Sequence, residues 1–121
     1  MYAERHTVSL TTDSGGAATG YTPVITGRIL AVIYAKTDFA DGVDFAITAE
    51  ATGEAILTLT DQNASANFYP RAQVHGITGT ALTLDGTRLL VEPICVANDR
   101  VKVVVAAGGS VKTGSVIVIV G

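Results

Sequence analysis

The sequence has no tryptophan, one cysteine, one methionine and three prolines, and only 16% of its 121 residues are charged. A single cysteine excludes a disulfide framework and any multi-cysteine zinc site. Eight Lys and Arg against eleven Asp and Glu give a formal net charge of −3. Such a chain has no basic stripe of the kind duplex nucleic acid requires. The longest apolar runs, Ile29 to Ala35 and Val116 to Val120, fall far short of the ~20 residues of a membrane-spanning helix. Met1 to Leu10 contains Glu4, Arg5 and His6 without an apolar run and reads as no signal peptide. Good helix formers are scarce, with eight Leu, four Glu, three Lys and two Gln. These shortages predict a soluble protein made in a cytoplasm, with no nucleic acid, no membrane and no cofactor.

What is abundant points to sheet. Val, Ile and Thr make 40 of the 121 residues, and these β-branched types fit a pleated surface. Thirteen Gly supply turns. At this size about two thirds of the extended surface can be buried, leaving roughly 6,100 Å² exposed, enough for one core. The expectation is an all-β chain, a single β-sandwich or barrel-like domain over residues 1–121 with about seven to eight short antiparallel strands. Strand patterns fall at His6 to Thr12, Arg28 to Tyr34, Val43 to Thr48 with Val43, Phe45 and Ile47 inward, Ala55 to Thr60, Arg88 to Val96, Arg100 to Ala107 and Ser115 to Val120. Gln62 to Asp85 is long for a structureless loop and is expected either to be functional or to carry a short strand near Ala81 to Leu84.

Several strands are apolar on both faces. Val116 to Val120 is a run of five β-branched residues, and Leu89-Leu90-Val91 and Val103-Val104-Val105 are shorter runs. The outward face of a sandwich normally alternates to polar, and an exposed apolar strand invites aggregation. A partner covering the second face is the economical answer, which predicts a dimer or trimer with Val118 and Ile119 on opposite faces.

The chemical motifs are weak beside their structural readings. Gly108 to Gly114 lacks the Gly before Lys112 and the following helix of a phosphate loop, and reads as a hairpin connection. Asp38, Asp41 and Asp44 recur every third residue without the calcium-loop spacing, and read as a solvated acidic loop. His6 and His75 are too few for a metal centre. Ser65, His75 and Asp85 form a triad only by coincidence of common residues, with no nucleophile elbow. Cys95, between Ile94 and Val96, reads as a buried thiol. No catalytic set emerges, so the chain is not expected to be an enzyme. Phe68-Tyr69-Pro70-Arg71 offers aromatic and cationic anchors for a protein surface, as does the N-terminal segment with Tyr2 and His6. The expected partner-binding set is therefore Tyr2, His6, Phe68, Tyr69, Arg71, Val118 and Ile119.

Three stretches carry a resemblance: Thr37 to Phe45 leading to Thr52 to Leu57, Tyr69-Pro70-Arg71-Ala72 followed by His75, and Ala97 to Lys102 followed by Gly108-Gly109 and Lys112-Thr113-Gly114. With Thr7 to Asp13, Tyr21 to Val24 and Gly27-Arg28, they make the chain resemble small virion proteins of tailed bacteriophages and prophages. The resemblance implies a structural role on the virion, made in the host bacterial cytoplasm. Its favoured form is a capsid decoration (cement) protein on the outer lattice of the major capsid protein. A head–tail connector or tail component is the near alternative. A carbohydrate-binding receptor module is the distant one, since the chain lacks the Trp such modules favour.

Overall fold

A computed structural model describes residues 2–121. Among them are ten strands and no helix: β1 (Glu4–Thr11), β2 (Ala18–Tyr21), β3 (Ile25–Lys36), β4 (Val43–Ala49), β5 (Ala55–Gln62), β6 (Ala66–Phe68), β7 (Arg71–Gln73), β8 (Val91–Asp99), β9 (Val101–Ala106) and β10 (Thr113–Val120). The expected all-β sandwich is the fold. The count exceeds seven to eight because three short strands, β2, β6 and β7, lie where turns or irregular chain were expected.

Two antiparallel sheets pack together. One runs β1-β10-β3-β8-β7, with β6 also on β3; the other runs β2-β9-β4-β5. Alternation sets the inner faces. Val116, Val118 and Val120 of β10 and Val101, Val103 and Val105 of β9 are buried from opposite sheets, with Val43, Phe45 and Ile47 of β4 beside β9. Sequence patterning placed the β4 trio correctly. On β5, Leu57 and Leu59 sit opposite Ile47 and Phe45, while a bulge opposite Ile47 and Thr48 lets Ile56 bury as well.

Chain crossings between the sheets hold the layers together. A single residue, Arg100, separates β8 in one sheet from β9 in the other. Asn98 takes a left-handed conformation at φ 50°, which Asn tolerates. The buried Asp99 carboxylate accepts the amides of Ala51 at 3.0 Å and Arg100 at 2.7 Å. Arg100 then pairs with Glu50 and lies 4.1 Å from the centre of the Tyr21 ring. The Glu50 hydrogen bond holds the guanidinium charged above its ordinary range. Another crossing is Gly108 to Lys112. The expected hairpin there is a link from β9 to β10 in the other sheet, tied down by Thr12, whose hydroxyl donates to the Gly109 carbonyl at 2.6 Å and accepts the Lys112 amide at 2.8 Å.

The polar loop from Thr37 to Gly42 turns one residue inward. Phe39 is buried and joins Tyr34 and Phe45, at centroid distances of 6.3 and 6.2 Å. Its ring lies against Gly114, where an added Cβ would stand 2.5 Å from the ring edge. Cys95 corrects the sequence reading: it is exposed. Ile94 and Val96 take the inner face, and strict alternation turns the residue between them outward.

Candidate interaction surface

β3 changes partners midway. Ile25 to Ile29 pair with β8, whereas Val32 to Tyr34 pair with β6. Leu30 is an extra residue relative to β10, a bulge at the changeover. There β8 leaves the sheet with β7 still paired to it, Arg71 opposite Pro93 and Gln73 opposite Val91. Arg71 braces this departure: its Nη1 donates to the carbonyls of Leu30 at 3.1 Å and Pro70 at 2.7 Å. Beyond the brace the chain forms an arm. It is held by bonds from Val74 N to Leu90 O (2.8 Å) and Leu82 N to Val74 O (2.9 Å), and by bridges His75–Ala81 and Thr83–Leu89.

The arm is almost bare. From residue 75 to residue 92 only Gly76 and Leu90 are even half-buried. Ile77 is fully exposed at 107%, Leu84 and Leu89 are 60% and 62% exposed, and Leu82 and Val91 are exposed as well. The total accessible surface, 6742 Å², exceeds by about 600 Å² what a compact chain of this mass presents. A projecting arm accounts for an excess of that kind.

Asp85 closes the arm's far turn. Its carboxylate accepts Arg88 N at 2.9 Å, Arg88 Nε at 2.8 Å, Thr87 N at 3.2 Å and the Thr87 hydroxyl at 3.0 Å. The Arg88 bonds, with help from Thr87, lower its pKa from 3.8 to about 2. A depressed carboxylate favours the folded form at every pH above its unfolded value and loses that contribution as pH falls through the folded one. The carboxylate's contribution to the turn is therefore lost progressively as pH falls from about 4 towards 2. Carbon-detected NMR titration of the Asp85 carboxyl is expected to give a midpoint near 2; a midpoint above 3.5 refutes the clamp.

The expected contact residues divide into four groups. Tyr2 and Tyr69 are exposed. Ile119 lies half-buried on the outer face of β10, opposite Arg5 of β1 and Ala31 of β3, and Ile117 and Ile33 pair on the same face. Val118, His6 and Phe68 point the other way. Val118 is wholly buried, so it is corrected from partner contact to core. His6 stands opposite Val118, half-buried, with Nε2 3.2 Å from Glu4 Oε2. Phe68 packs on the core from β6. Arg71 is corrected from a free anchor to the brace of the arm. The residues missed are Ile77, Leu82, Leu84, Leu89 and Val91. Their signal was a pair of apolar stretches, Ala81 to Leu84 and Leu89 to Val91, set among Gly76, Gly79 and Gly86.

The three aspartates of the acidic loop are each engaged. Asp38 accepts the amide and hydroxyl of Thr113, which lower its pKa, Asp41 pairs with Lys36, and Asp44 accepts the Asp61 amide at 2.9 Å. No cluster of three or more His, Cys, Asp or Glu suited to a metal ion occurs among the described residues. An open cleft of about 430 Å³ is lined by Tyr2, Glu4, Arg28, Cys95 and Val120, among others.

No family model matches the chain. No curated protein matches it. Among solved structures, the crystal structure of FLHE is similar at 11% identity over 99% of this chain and 98% of that one, with a TM-score of 0.46.

Proposed function

We propose that the protein is a non-enzymatic structural component of a tailed-phage virion, a capsid decoration protein that binds the outer lattice of the major capsid protein and stabilises it. The observation that carries this reading is how the exposed surface is spent. Large apolar side chains stand in water on the arm and at Tyr2 and Tyr69, while Asp38, Asp41, Asp44, Asp85 and Asp99 are each occupied in holding a loop or turn. Such a surface suits attachment to another protein, and the resemblance of the sequence to phage virion proteins supplies the setting.

A lattice repeats one surface many times, so modest contacts per copy accumulate when an oligomer spans neighbouring subunits. Binding the mature lattice alone stabilises that state by mass action. The test compares particles with and without this protein. Loss of the protein is expected to lower the temperature of genome release while tails remain attached. Particles that are equally heat-stable but tailless replace this reading with a connector.

A further inference from the structure

We infer that the arm of residues 74–90 pairs two copies of this chain by reciprocal exchange, each arm lying on the sandwich of the other copy. Three observations point to a second copy.

The first is that the arm is apolar on both of its faces. Thr83 and Leu89 stand opposite one another in a bridge, so their side chains share a face and Leu82 and Leu84 project to the other. A flat surface covers only one of these. In a reciprocal exchange one face meets the partner's sandwich and the other meets the partner's returning arm.

The second is area. Taken together, the arm's four exposed aliphatics and Val91 at its base are equivalent to roughly three fully exposed side chains, on the order of 500 Å² per arm. One arm seated on an unrelated flat surface covers one face and buries about 500 Å² in total, below the range for specific interfaces. Two arms exchanged about a two-fold axis bury both faces of each arm, about 1,000 Å², with about 500 Å² of the two sandwiches, a total of about 1,500 Å² that lies within that range.

The third is charge. The arm's only acid, Asp85, is neutralised by Arg88 within the same turn. The chain also carries an apolar rank on the outer face of β3 and β10, where Ile33 stands opposite Ile117 and Ala31 opposite Ile119. Its neighbours on β1 are Thr7 and Ser9, with Arg5 at one end. The arm's one ion pair is closed within its own turn, so seating the arm on this rank leaves no carboxylate without its partner. The pairing stands independently of the virion reading, since it concerns the purified protein alone.

Sedimentation velocity of the full chain, without particles, tests it. The parent is expected to be a dimer at micromolar concentration. Leu84→Ser with Leu89→Ser, one change on each face of the arm, is expected to weaken the dimer at least about 100-fold while leaving the thermal melt of the sandwich in place. In a Cys95→Ser background, Leu84→Cys with Ile117→Cys is expected to form a disulfide between chains under oxidation. This second variant is read by gel and does not depend on the first. A monomeric parent at 100 µM, as an order of magnitude for a stable pair, overturns the inference and assigns the arm to a different protein. A dimer indifferent to both serines also overturns it.

Discussion

Val118→Asp is expected to leave no folded protein, whereas Ile119→Asp is expected to fold and fail to associate. The two positions are adjacent in sequence and opposite in environment. Val118 has no exposed surface and lies between Val32 of β3 and His6 of β1 on the inner face. A carboxylate there is unpaired and desolvated, a cost of several kcal/mol against a total stability of about 5–15 kcal/mol for a domain of this kind. Ile119 lies on the outer face with Arg5 opposite. Its aspartate reaches water and can meet that guanidinium, so the sandwich survives, but the apolar rank that would seat the arm is broken. Circular dichroism melts separate folded from unfolded, and sedimentation reads the association. If both variants stay folded and dimeric, the argument from two apolar faces fails.

The second large effect is a non-additive pair at the other end of β10. Removing the Phe39 ring costs about 3–5 kcal/mol, the usual range for a buried aromatic truncated to Ala. Gly114→Ala alone costs about 1–3 kcal/mol, because its methyl would enter space the ring occupies. With the ring gone the same methyl fits. The double variant is therefore expected to be no less stable than Phe39→Ala alone, with a coupling of at least about 1 kcal/mol in the cycle. Denaturant midpoints of the four proteins measure it. Additive losses would place Phe39 away from Gly114 in solution.

Much of this architecture is legible in local chemistry. Val43, Phe45 and Ile47 alternate cleanly, and a period of two leaves one inner face for them. The run Val116 to Val120 is ambiguous by the same logic, because when every residue is β-branched the period carries no phase. Only the neighbours, Val32 and Val8 rather than Ile33 and Thr7, decide that Val116 and Val118 go inward. Phe39 was hidden by polar neighbours, since its burial depends on a slot opened by a glycine 75 positions away. Cys95 was misjudged by composition, although Ile94 and Val96 already claimed the inner face. The sheet switch at Arg100 rests on one left-handed Asn98 and one carboxylate accepting two distant or local amides, which no periodicity records. Part of the candidate surface was legible in Tyr2, Tyr69 and Ile119. The arm was not, because its pairings are single bridges between short segments and its apolar residues resemble ordinary strand interior until the fold leaves them outside.

The place of β10 has a consequence for the time course of folding. It is the last strand along the chain, yet it lies between β1 and β3, pairing Glu4 with Val120 on one side and Ala35 with Ser115 on the other. Until residues 113–120 have been synthesised, β1 and β3 each expose an unpaired edge, and neither can be satisfied by the other. Closure of the sheet must then span nearly the full chain, an entropic cost met before its contacts are gained. The larger sheet is therefore completed only once residues 113–120 have been made, as a slow step, and until then its open edges are the main hazard to the yield of the nascent chain.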